Sequence, residues 1–233
     1  MCEKSPDFRP EPLSWFKSAY LETSLLCNIA TLLLHPLFAI LILFLYMMSK
    51  KDAIAADPKS NCPQEILENL VLIYVTFFDF EGNEKQGQIV VHKKVEKDVI
   101  ETFKFIHEIK FPLKKVVPIS HPDYHWDDEK SCADNNNSAF NYRTIAGTNR
   151  ISNHSYGFAI DINPVQNPFI KYNEKGEEVL RIPKNGNYNP KTDGTLYKEH
   201  EVVKKFLDLG WTWGGNWKKE EGRIDYQHFE KEL

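Results

Sequence analysis

The chain has few cysteines, and the four it has, Cys2, Cys27, Cys62 and Cys132, form neither a CxxC pair nor a Cys/His finger spacing. A thiolate metal site of the zinc-finger kind is therefore not expected. Cys62 and Cys132 could pair in an oxidising compartment or remain thiols, so they leave the compartment open. An excess of charge is also lacking: 29 basic against 33 acidic side chains give a net charge of -4. No Lys/Arg block interleaved with aromatics occurs, which sets nucleic-acid binding aside. Internal repeats are absent. What remains is a chain of 233 residues with 42% hydrophobic content, suited to one globular domain plus an appendage.

The appendage is at the amino terminus. After a polar leader over residues 1–24, residues 25–48 are almost entirely apolar, and residues 37–48 carry no charge. Roughly 20 apolar residues span a bilayer, so one membrane-spanning helix is expected, although Asn28, Thr31, His35 and Pro36 weaken its first half. A cleaved signal peptide is the alternative, because Ala53-Ile54-Ala55 has the small-residue pattern of a cleavage site. A start at Met47 or Met48 would remove the segment altogether. Lys4, Arg9 and Lys17 before the span balance Lys50, Lys51 and Lys59 after it, so positive charge does not choose an orientation.

Residues 49–62 are polar, small and proline-containing, which predicts a linker, with a folded domain over residues 63–233. Residues 70–78 are β-branched and aromatic, residues 81–84 supply turn chemistry, and residues 88–92 resume the strand pattern, predicting a β-hairpin. Val95, Val99, Phe103, Ile106 and Ile109 recur at helical spacing, predicting an amphipathic helix over residues 94–110. Residues 114–119 suggest a strand, and the Asp/Asn-rich stretch 121–142 reads as a long loop of the kind that forms lids. His121 and His125 read as loop residues because Pro122 opposes a helix that would pair them. Asp127, Asp128, Glu129 and Asp134 read as solvated lid charge. A buried strand over 156–162, a hairpin over 170–182, a helix over 199–209 closed by Gly210, and a last strand over 226–230 complete the pattern. Helices and short strands mix without βαβ regularity. The expected class is α+β, a small antiparallel sheet with flanking helices.

Chemistry concentrates in two places: SNHSYGFAID over residues 152–161, and DYQHFE over residues 225–230. A catalytic zinc takes three protein ligands from His and Asp/Glu and keeps its fourth position for water, whose pKa falls to about 7. His154 precedes the predicted strand, Asp161 lies on it and His228 lies on the last strand, so neighbouring strands of one sheet could bring the three together. Gly157 would allow a close backbone approach. Asp225, three residues before His228, is placed to act as general base.

Taken together, HxxxxxxD and DxxHFE, residues 139–143 (AFNYR) and residues 210–217 (GWTWGGNW) make the chain resemble the VanY-like D-alanyl-D-alanine carboxypeptidase family of zinc peptidases. That group includes phage L-alanyl-D-glutamate endopeptidases and shares its fold with the hedgehog signalling domain. The resemblance implies zinc ligation by His154, Asp161 and His228 and a base at Asp225, where many members have Glu. It implies oxyanion stabilisation by Arg143, whose fixed charge and donor fork suit the task. Ser152 matches a serine at the substrate cleft, or else braces the loop carrying His154. Trp211, Trp213 and Trp217 read as core and rim packing rather than site.

The function expected is a Zn2+-dependent D,D-carboxypeptidase acting on peptidoglycan stem peptides, with its catalytic domain facing outward from the cell membrane. An L-alanyl-D-glutamate endopeptidase with the same chemistry, and a zinc-stabilised binding module without turnover, are the alternatives. Oligomeric state is left open.

Overall fold

The computed structural model describes residues 47–145 and 148–232, and the predicted membrane span and leader lie outside them except for its last two positions. Among the described residues no helix is long and apolar enough to cross a membrane. Residues 48–232 fall in one compact unit.

The predicted hairpin is β1 (Leu70–Phe78) paired antiparallel with β2 (Glu84–His92). Alternation explains its faces: Ile73, Val75 and Phe77 are buried while Tyr74 is 65% exposed. The turn closes through Asp79, whose carboxylate accepts from the backbone N–H groups of Glu81 and Asn83. Gly82 supplies the left-handed residue (φ 78°).

Ahead of the hairpin stand two short helices, α1 (Lys50–Ala53) and α2 (Gln64–Glu68). Residues 49–62 thus do not run free as the polar composition suggested. Ala53 is buried in an apolar cluster with Leu70, Val90 and Phe140, and Met48, Ile54, Ala56 and Cys62 pack around it. The Gln88 side chain ties down Met48 from both sides, accepting from its N–H and donating to its carbonyl. A few apolar side chains at the right positions outweigh the polar average of such a segment.

The helix predicted from the Val95–Ile109 periodicity is α3 (Glu96–Glu108), preceded by a 3-10 turn at Lys93–Val95. Its Val99, Phe103 and Ile106 share the main core with Val202, Val203 and Phe206 of α5 (Glu201–Asp208). The His200 ring accepts from Val202 N–H to cap α5, and Gly210 (φ 80°) follows its end.

One expected sheet is in fact several small ones. β3 (Lys115–Val116) pairs in parallel with β4 (Asn136–Asn137). β6 (Phe169–Tyr172) lies between β7 (Glu178–Ile182) and β9 (Arg223–Asp225), and β10 (His228–Glu230) lies between β5 (Ala159–Asp161) and β8 (Thr212–Trp213). The last strand expected over 226–230 is present as β10, two residues shorter, and β9, which the pattern did not suggest, ends just before it in another sheet at Asp225. Phe229 and Ile160 turn into the core, where Phe229 stacks on Phe206 with ring centroids 3.9 Å apart. Side chains alternate along a strand, so His228, Glu230 and Asp161 are left on the other face.

The Asp/Asn-rich stretch is not a lid. It holds α4 (Asp128–Ala133), and Asn135, Asn136, Asn137, Ser138 and Asn141 are buried. Their amides serve as backbone substitutes: Asn136 accepts from Val117 N–H and donates to Val117 O, and the Asn137 carbonyl accepts from Asn163 N–H. Buried amides that find all these partners make a rigid strap, which polar composition alone does not reveal. Cys62 and Cys132 are both free thiols.

Candidate metal centre

β5 and β10 meet with His228 directly opposite Asp161, so these two side chains project from the same face of adjacent strands. His154 arrives from the 3-10 turn Asn153–Tyr156 just before β5. Ser152 caps this turn, its hydroxyl accepting from His154 N–H, and Gly157 (φ 73°) ends it. A Cβ at Gly157 would lie 2.5 Å from the backbone nitrogen of His92, and Gly157 O accepts from that N–H. The turn is thereby pinned to the end of β2.

The three side chains converge and are buried, with one ligand atom from each lying within 4.8 Å of the others. The separations are 3.2 Å from His154 Nε2 to His228 Nδ1, 3.3 Å from His154 Nε2 to Asp161 Oδ2, and 3.1 Å from His228 Nδ1 to Asp161 Oδ1. A tetrahedral ion with ligands at about 2.0–2.1 Å requires ligand–ligand edges of about 3.3–3.4 Å, close to these values.

Proton positions sharpen the argument. His154 Nδ1 lies 2.6 Å from the carbonyl oxygen of Ala139, which can only accept, so Nδ1 carries the hydrogen and Nε2 presents a lone pair. His228 Nε2 lies 3.1 Å from Glu230 Oε2, so its hydrogen is there and Nδ1 presents a lone pair. Two imidazole lone pairs and a buried carboxylate facing one another are a site built for a cation. Burial works against protonating His228. Hydrogen bonds to Asp161 and Glu230, and then the charges of Asp161 and Asp225, nonetheless push its pKa up to about 10, so a metal ion taking Nδ1 must displace a proton there. Asp161 is held far below the usual carboxylate range: burial opposes ionisation, but the neighbouring imidazoles of His154 and His228 prevail. The donor set fits zinc, and the second imidazole nitrogen of each histidine is engaged as metal-ligating histidines require.

Asp225 ends β9, two residues short of β10, and its Oδ1 is buried with no hydrogen-bond partner among the described residues. Burial lifts its pKa. The neighbouring His228 and His154 rings pull it back and the Asp161 charge adds to the rise. Gly214 lets the chain pass tightly here, since a Cβ on it would lie 2.5 Å from Asp225 O.

Arg143 is held by its backbone, whose N–H donates to the Ser155 hydroxyl, and by its guanidinium, 3.1 Å from Asp128 Oδ2. Its Nε is buried with no partner among the described residues. The strap residue Asn141 donates to the other Asp128 oxygen. Asp128 is therefore a charge with a defined partner, where composition suggested solvated charge. Ser152 acts here as a brace for the His154 turn. Trp211 and Trp213 are core residues, whereas Trp217 sits 5.7 Å from the His228 ring.

Two further residues lie within the motif stretches but receive no role from the sequence. Glu230 contacts His228, and Asn153 donates to Glu230 Oε2 at 2.7 Å. The signal for Glu230 is present in the alternation of His228-Phe229-Glu230, which puts the first and third residues on one face. Nothing in the sequence points to Asn153.

Fold and site together define a small α+β domain with a buried two-histidine, one-carboxylate cluster competent to hold a metal ion. Residues 146–231 match the family model described as D-alanyl-D-alanine carboxypeptidase. The match takes in Ser152, His154, Asp161, Asp225 and His228, while Arg143 lies just before it. No curated protein and no solved structure matches the chain.

Proposed function

We infer that this chain is a zinc-dependent peptidase acting on peptidoglycan stem peptides, of the D-alanyl-D-alanine carboxypeptidase type. The observation that carries the reading is the facing set of His154 Nε2, His228 Nδ1 and the Asp161 carboxylate, inside a stretch matching that family.

His154, Asp161 and His228 would hold the ion. When bound, zinc supplies Lewis acidity, acidifying water and polarising a carbonyl. Asp225 takes the proton from the attacking water on its carboxylate and delivers it to the departing amine. Its buried, unpartnered Oδ1 supports that role, because a carboxylate with raised proton affinity both accepts and releases a proton near neutral pH. Arg143 offers its guanidinium to the oxyanion that develops on the scissile carbonyl, and Asp128 orients it. A cell-wall substrate places the domain outside the membrane, with the apolar segment ahead of Met48 as its anchor or leader.

The test is mass spectrometry of pentapeptide muropeptides incubated with the purified full-length chain and zinc, beside its Asp225→Ala variant. The expected outcome is loss of one terminal alanine with the native chain only, and retained zinc with at least a roughly 100-fold slower reaction in the variant. Cleavage between L-Ala and D-Glu would instead make the chain an endopeptidase. Intact substrate beside stoichiometric zinc would point to a binding module.

A further inference from the structure

The hydrogen bonds behind the cluster converge on one atom. Glu230 Oε2 accepts from His228 Nε2 at 3.1 Å and from Asn153 Nδ2 at 2.7 Å. Asn153 is the residue before His154, and its carbonyl accepts from Phe158 N–H at the other end of the same turn. A single carboxylate oxygen therefore ties the His228 ring on β10 to the turn that carries His154. β-Sheet register produces this arrangement: Glu230 stands opposite Ala159, whose methyl side chain leaves room for it, and on the same face as His228. The carboxylate is only partly exposed, with its side chain 24% accessible. The hydrogen bond from His228 lowers its pKa to about 2, against the opposing effect of burial.

We propose that Glu230 is a positioning residue for the metal centre, fixing the His228 tautomer so that Nδ1 faces the ion and locking the two histidines to each other through Asn153. The proposal rests on the metal-centre reading above. A histidine ring on a strand can rotate about its last torsion, and either nitrogen can serve as a ligand. With Nε2–H committed to Glu230, one nitrogen and one orientation remain. Asn153 makes the same clamp sensitive to the position of His154, so loosening either residue disturbs both ligands.

The experiment measures zinc affinity of the full-length chain by competition with a chromophoric chelator, together with the d–d spectrum of the cobalt-substituted protein and the unfolding midpoint of the metal-free protein. Glu230→Ala is expected to bind zinc about 10–100-fold more weakly with an altered cobalt spectrum and little change in metal-free stability. Glu230→Gln, whose carbonyl oxygen still accepts from Nε2, is expected to recover most of the loss. Asn153→Ala should weaken binding less, and should add nothing in the Glu230→Ala background.

Native-level zinc affinity in Glu230→Ala overturns the proposal while leaving the metal centre intact. So does a loss that Glu230→Gln does not recover and that is matched by an equal fall in metal-free stability, which would mark a structural residue. A native chain that binds no zinc overturns the metal reading and this proposal with it.

Discussion

Replacing Gly157 by alanine tests whether the metal centre depends on how closely the His154 turn approaches β2. Gly157 has φ of 73°, so any Cβ there carries the cost of left-handed backbone, about 1–2 kcal/mol. The added methyl also meets His92 N at 2.5 Å, Leu70 Cδ2 at 2.8 Å and the Val91 carbonyl carbon at 2.9 Å. Two of these are backbone atoms of a paired strand and cannot swing aside. Overpacking of this kind costs about 1–3 kcal/mol, so the total is about 2–5 kcal/mol.

Gly82 is the internal control. It has nearly the same φ, 78°, but nothing lies within 4 Å of where an added Cβ would stand, so Gly82→Ala should cost only the conformational part. Urea unfolding of both variants with zinc removed gives the difference, expected to be about 1–3 kcal/mol. Zinc titration should show weaker binding in Gly157→Ala and native binding in Gly82→Ala, because only the former displaces the turn bearing His154. Equal destabilisation of the two variants, or native zinc affinity in Gly157→Ala, would refute the reasoning.

Two other outcomes follow from the fold. Phe206→Ala removes a fully buried ring stacked on Phe229 and should cost about 3–5 kcal/mol in denaturant unfolding, since neighbours packed from two helices and a sheet cannot close the void. Asp79 has a lowered pKa: burial opposes ionisation, but bonds from Asn83 and Glu81 and the Lys85 ammonium 3.6 Å away outweigh it. Its stabilising effect is therefore fully present above its unfolded value of about 4 and lost as pH falls through the lower folded value. The stability gap between the native chain and Asp79→Asn should shrink as pH drops below about 4, and a gap that widened would contradict this.

Local information carried what local physics governs. The β1–β2 hairpin follows from its β-branched and aromatic runs and turn chemistry around Gly82, α3 follows from apolar side chains at helical spacing, and α5 from the stop at Gly210. That His154, Asp161 and His228 form one cluster was legible because the resemblance groups them and metal ligation calls for those residue types. Tertiary structure decided the rest. Only strand register reveals that His228 faces Asp161 and that Glu230 shares its face, since pairing joins residues 67 apart in the chain. Only packing reveals that residues 48–56 belong to the folded unit, and that the asparagines of residues 135–141 are buried, because a polar residue is as stable inside as outside once its hydrogen bonds are met. Composition reports the average preference of a segment; burial depends on which partners the distant chain brings to it.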